Sequence, residues 1–195
     1  MKTEYLLERE VDLVLAALTS GNALVVRAML ETGLRVGDVL ALQLGQIRTQ
    51  FWLTEQKTGK RRHVGLTQQL VDDIKAAARR AVPSHVLARY DAGADLTLWA
   101  FPSPKDWRRH RTRQAVWADI KRAARAFRLP VNAGTHSLRK VYAVELREKY
   151  GDIPKVQRAL GHSSDAVTMV YAIADQLRED KLHRRTKRRG RTVRR

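Results

Sequence analysis

Six residues spread along the chain belong together chemically: Arg35, Lys57, His136, Arg139, His162 and Tyr171. They stand, in order, in the segments ThrGlyLeuArg, GlnLysThrGlyLys, ThrHisSerLeuArg, LeuGlyHisSerSer and MetValTyr. Three cations, two imidazoles and one phenol form a set able to attack a phosphodiester without a metal ion. The cations hold the phosphate, an imidazole manages protons, and the phenol is the nucleophile.

Taken singly, each residue has a plainer reading. Arg35 alone would be a surface arginine paired with Asp38 one turn on, although a guanidinium there also presents a rigid two-pronged donor to phosphate oxygens. Lys57, with Lys60, Arg61 and Arg62 behind it, would be a solvated basic turn. His136 and Arg139, three apart, share a helix face. His162 would cap a helix end, or hydrogen-bond a non-bridging phosphate oxygen. A phenol with a reference pKa near 10 is a poor nucleophile at neutral pH, and Arg35, Arg139 and a histidine around Tyr171 would favour its phenolate. Its competitors look structural: Tyr142 has apolar neighbours and Tyr150 precedes a helix-stopping glycine. What carries weight is the spacing, with ThrHis-x-x-Arg 26 residues before His162 and 35 before Tyr171.

The order, texture and spacing of these segments resemble the catalytic domain of the tyrosine recombinases, the phage integrase family. The resemblance runs from about Leu6 to Ala174 and fills all six expected catalytic positions. It implies that Arg35 and Arg139 clamp the scissile phosphate and that Lys57 is the general acid on the departing 5′ oxygen, with Lys60 as runner-up. It also implies that His136 takes or relays the tyrosine proton, that Asp38 supports Arg35, and that Tyr171 forms a 3′-phosphotyrosyl link. It further implies double-stranded DNA as partner, a tetramer on two DNA sites from a free monomer, and chemistry that needs neither ATP nor metal. A type IB topoisomerase is the nearest enzymatic rival, and His136 favours the recombinase. A non-catalytic DNA-binding protein on the same fold is the alternative of a different class.

The elements that must position these groups read as mainly α with a small β-hairpin. Helices are expected over Leu6 to Leu18, stopped by Gly21, over Ala23 to Glu31 with Gly33 as a left-handed stop, and over Val36 to Leu44. Strands over Phe51 to Gln56 and Arg61 to Leu66 flank a tight turn at Thr58-Gly59. Thr67 caps a helix through Ala81. The stretch from Pro83 to Lys105 is irregular, with one strand expected at Leu96 to Phe101. Thr112 opens a helix to Phe127 and is followed by helices at His136 to Tyr150, Ile153 to Leu160 and Asp165 to Ala174.

Composition narrows the partner. A net charge of +18 on 195 residues points to a large polyanion. No apolar run approaches the ~20 residues that cross a bilayer, and the start does not read as a signal peptide. The absence of cysteine excludes disulfides and thiolate metal sites and suits a reducing cytosol, and the family resemblance implies a cytoplasmic protein, bacterial or phage-derived, acting on nucleoid DNA. His63, His85, His110 and His183 form no metal-ligand set with an acid pair. Besides the hairpin cations Lys60, Arg61 and Arg62, DNA contacts are expected from Arg108, Arg109, Arg111, Arg113 and Lys140. Trp52, Trp99 and Trp117 suit core positions, while Trp107, interleaved with cations, suits either a core or a DNA surface. Residues 1–181 read as the catalytic domain and 182–195 as a basic disordered tail, a candidate DNA-binding arm. The N-terminal helical domain that closes a clamp in most of the family is not seen, so a half-clamp with steep salt dependence is expected.

Overall fold

The computed structural model describes residues 3–151 and Val156. The expected helices at Ile153 to Leu160 and Asp165 to Ala174, with His162, Tyr171 and the basic tail, lie outside the described residues. The chain divides into two compact units, residues 1–142 and 143–195.

The first unit holds the chemistry that can be described. Its elements are α1 (Glu8–Ala17), α2 (Ser20–Thr32), α3 (Val36–Leu40), a 3₁₀ turn (Leu44–Gln46), β1 (Gln50–Thr54), β2 (Arg61–Gly65), α4 (Gln68–Ala81), α5 (Ser84–Asp91) and α6 (Arg113–Ala126). Helix α7 (Thr135–Tyr150) starts in this unit. The two strands form an antiparallel sheet in which Trp52 faces His63 and Thr54 faces Arg61. The architecture is mainly helical with one hairpin, as the periodicity predicts.

Hydrophobic periodicity builds the core around α2. Its Val25, Val26 and Met29 are fully covered, and Val14, Leu34, Leu40, Ile74, Val116, Ile120 and Leu138 meet them from the other elements. The hairpin lays Phe51, Leu53 and Val64 on the same core. A smaller cluster of Leu44, Ala78, Val82, Val86 and Leu98 lies under the 83–98 stretch, where Trp107 packs half-buried.

Helix ends follow local chemistry. Thr67 and Thr112 cap α4 and α6, accepting from the Leu70 and Ala115 N–H groups at 3.4 and 3.1 Å. The start of α2 is served from elsewhere. Asp119 of α6 accepts the Thr19 N–H at 2.9 Å, the Thr19 hydroxyl at 2.9 Å and the Asn22 amide at 2.8 Å.

The expected stop at Gly33 is present, with φ of +62°. A Cβ placed there would lie 2.1 Å from the Tyr142 ring. Gly33→Ala should therefore lose at least about 2 kcal/mol, from left-handed strain plus displacement of that ring. A urea midpoint that does not move would refute this.

Several expectations need correction. Gly21 does not end the first helix: α1 stops at Ala17 and Gly21 lies inside α2. The Arg111 guanidinium fills the space where a Gly21 side chain would be. Val36 to Leu44 is not continuous, because α3 ends at Leu40 before the 3₁₀ turn. Leu96 to Phe101 forms no strand; it makes an isolated bridge from Gln43 to Trp99, and a second joins Pro102 to His110. The irregular stretch contains α5, which begins after Pro83. Trp52 and Trp117 are 57% and 50% exposed instead of buried. Trp52 falls on the outer face of β1 between the inward Phe51 and Leu53, and the Trp117 ring is likewise directed outward from α6. Both rings lie beneath cations, Arg61 at 5.1 Å and Lys121 at 5.8 Å.

Candidate active site

The C-terminal end of α2 is the point of assembly. A helix ends with orphan carbonyls and a partial negative charge, so cations settle there. Two guanidiniums do so here. Arg62 Nη2 donates to the Thr32 carbonyl at 3.0 Å, and Arg139 Nη1 donates to the Gly33 carbonyl at 2.5 Å. Gly33 turns the chain, and Arg35 follows at the start of α3.

Arg35 is drawn into the same place by an acid the sequence analysis did not single out. Glu55, at the end of β1, has a fully covered side chain. Its Oε2 accepts from Arg35 Nη1 at 2.9 Å and from the Thr58 hydroxyl at 2.7 Å, and its Oε1 accepts from Arg62 Nη1 at 3.0 Å. Burial pushes the Glu55 carboxyl up. The hydrogen bonds from Thr58, Arg62 and Arg35, with the charge of Arg62, overcome that and hold it below the ordinary value. A signal for Glu55 was present: Phe51, Leu53 and Glu55 alternate on one strand face, so the acid continues the inward row and must find partners there.

The hairpin turn is held from both sides. Glu55 N–H donates to the Lys60 carbonyl at 3.0 Å and Gly59 N–H to the Glu55 carbonyl at 2.9 Å, with Gly59 at φ of +66°. Asp38 accepts the Gln56 N–H at 2.9 Å, fixing the base of the turn to α3. Lys57, Lys60 and Arg61 stand exposed on this supported loop. Arg113 also reaches the neighbourhood, since a Cβ on Gly37 would lie 4.0 Å from its Nη1 and 3.6 Å from Gln56 Oε1.

Arg35, Arg139 and the Lys57 turn thus converge from three distant segments. Side-chain exposure is 13% for Arg35, and Arg139 is 1% exposed with the whole chain in place. His136 is exposed in the first turn of α7. His162 and Tyr171 lie outside the described residues.

The residues expected to touch DNA divide in two. Lys60, Arg61, Arg108, Arg109 and Arg113 are exposed. The other three are engaged internally. Arg62 is buried at Glu55 and Thr32, and Lys140 is buried with Nζ donating to the Thr3 carbonyl at 2.5 Å. Arg111, half-buried, donates to Asn22 Oδ1 at 3.1 Å. Each hydrogen-bonds an atom of its own chain, which is why basic residues in a basic sequence do not all belong to a binding surface.

The phage integrase family model matches residues 4–178. The tyrosine recombinase XerD of Brucella abortus is 31% identical over 172 residues, covering 84% of this chain and 52% of its own. A probable integrase/recombinase of Bacillus subtilis, YoeC, is 28% identical over 151 residues, covering 75% and 74%. Among solved structures, the XerH site-specific recombinase bound to palindromic difH substrate aligns over 93% of this chain and 52% of that one. Its TM-score is 0.65 and its identity 20%. The fold is that of a tyrosine recombinase catalytic domain. The chain belongs to the phage integrase family. It spans about half the length of the XerD relatives it matches.

Proposed function

We propose that this protein carries out site-specific DNA recombination, breaking and rejoining strands through a 3′-phosphotyrosyl link. The observation that carries the reading is the gathering of Arg35, Arg139 and the Lys57 turn around the end of α2. Two guanidiniums and a lysine from separate segments suit a phosphoryl group whose transition state carries extra charge on its equatorial oxygens. Family membership and the DNA-bound state of XerH support the same reading.

In the proposed step the Tyr171 oxygen bonds to phosphorus as the bond to the 5′ oxygen breaks. The phenolic proton passes to His136, and Lys57 protonates the departing oxygen. Arg35, Arg139 and His162 hold the non-bridging oxygens. A 5′-hydroxyl from a partner strand reverses the sequence. The energy stays in the covalent link, so the step calls on neither a nucleotide nor a metal. Residues 1–181 form the catalytic domain in this reading and 182–195 a DNA-binding arm. The working form is a tetramer on double-stranded DNA, assembled from monomers in the bacterial cytoplasm. The exposed Lys60, Arg61, Arg108, Arg109 and Arg113 supply backbone contacts.

Covalent capture tests this. Nicked duplexes made from the DNA flanking the gene, mixed with the native chain, should give a DNA-linked band on a denaturing gel that Tyr171→Phe loses. A band that survives in the phenylalanine variant would move the nucleophile elsewhere. Shifted DNA without any band would favour a non-catalytic binder.

A further inference from the structure

The Glu55 carboxylate takes no part in the proposed transfer, yet it ties three side chains of the site together. Three features single it out. It is an acid with no exposed side-chain surface, so its charge persists only because donors surround it. It sits among the guanidiniums of Arg35 and Arg62, with Arg139 bound to the neighbouring α2 carbonyl. Like charges gathered in that way repel when no phosphate is bound, and Glu55 is the fixed anion that lets them stay. Finally, one atom joins two functions: Oε2 accepts both from Arg35 at 2.9 Å and from Thr58, the residue next to Lys57, at 2.7 Å.

We propose that Glu55 is a positioning residue for strand cleavage, holding the Arg35 guanidinium and the Lys57 turn in one register. The proposal rests on the strand-cleavage reading above. Glu55 meets neither the phosphate nor the leaving oxygen in this scheme; it acts through Arg35 and Lys57. A bound phosphate would be shared by a clamp and an acid whose separation is set through one carboxylate oxygen. Replacing that carboxylate by an amide of the same shape removes the charge and turns an NH₂ or a weaker acceptor toward three donors.

The test uses the site mapped by covalent capture, with two substrates and two variants in the full chain. One substrate has the normal 5′ oxygen at the scissile position, and the other has a 5′ sulfur. With sulfur the phosphorus–sulfur bond breaks and the leaving thiolate needs no proton, so any loss that arises at the Lys57 turn is recovered. Glu55→Gln should lower the single-turnover cleavage rate on the oxygen substrate by on the order of 100-fold. It should regain about tenfold of that loss or more on the sulfur substrate. Thr58→Val, which removes one donor and leaves both arginine contacts, should show a smaller loss that the sulfur substrate fully restores. Where Glu55→Gln does not fold, Thr58→Val decides alone. A folded Glu55→Gln that cleaves at the native rate would overturn the proposal, as would an equal loss on both substrates for both variants. A native chain that yields no adduct on any duplex would instead overturn the strand-cleavage reading, and the positioning role with it.

Discussion

Arg139→Ala is expected to destabilise the domain by about 3 kcal/mol and to lower strand cleavage by at least about 1,000-fold. Arg139 is the largest of the fully buried side chains and is only 1% exposed. Truncation leaves a cavity of nearly a whole arginine side chain. It also strips the Gly33 carbonyl of its donor at a helix end where water is excluded. The kinetic loss follows from removing one fork of the proposed clamp. Arg139→Lys separates the two effects. A lysine keeps the charge and one donor for the Gly33 carbonyl, so most of the stability should remain. It loses the planar fork that matches phosphate, so cleavage should still fall by on the order of 100-fold. Urea unfolding and single-turnover cleavage on the captured site read the two quantities independently. A lysine variant that cleaves at the native rate would take Arg139 out of the clamp. An alanine variant with an unmoved midpoint would show that the Gly33 contact contributes nothing.

The second large effect lies at the other end of α2. Asp119 accepts from Thr19, Asn22 and Arg122 with only 7% of its side chain exposed. Burial pushes its carboxyl up, while the hydrogen bonds from Asn22, the Thr19 backbone, Arg122 and the Thr19 hydroxyl bring it down to about 2. The folded state thus binds the proton more weakly than the unfolded chain. The associated stability is fully present above about pH 4 and is lost as the pH falls toward 2. A shift of that size corresponds to about 2 kcal/mol. Asp119→Asn should accordingly unfold at lower denaturant at pH 7, by roughly that amount, and the gap to the native chain should close on acidification through this window. A gap that stays constant between pH 7 and pH 2.5 would refute the account. Because Asp119 closes the start of α2 and Arg139 its end, the core helix is secured at both termini by side chains about 100 residues away.

How much of this was legible in the sequence depends on the range of the interaction involved. Local chemistry read well. The αL glycine at position 33, the threonine caps at 67 and 112, and the hairpin with its turn at Thr58-Gly59 are all decided by neighbouring residues. The two tryptophans were misplaced by a preference for burying large rings. The pleat of β1 and the helical spacing around Val116 and Ile120 override that preference, and cation contacts make the exposure tolerable. The strand expected at Leu96 to Phe101 has the composition but no partner strand, so only single bridges form. α5 hid within a stretch whose proline marks a helix start instead of a loop. In the site, the gathering of Arg35, Arg139 and the Lys57 turn around one helix end is a placement that their order in the chain does not show. The roles of Arg62, Arg111 and Lys140 were not legible there either. Whether a cation faces solvent or a carbonyl of its own chain depends on contacts 30, 89 and 137 positions away. Glu55 was missed for the same reason, although the strand alternation points it inward.

The arginine-capped end of α2 also bears on how descendants of such a domain would lose their activity. Arg62 and Arg139 satisfy the last carbonyls of the central helix, so selection for a folded protein alone would retain both. Lys57 stands exposed on a turn, where a change of side chain leaves no core cavity. A copy released from the need to cut DNA would therefore discard the turn lysine long before the interior arginines. Intact arginines in such a sequence vouch for its architecture, and, on the strand-cleavage reading proposed above, the turn lysine is the better witness to a working enzyme.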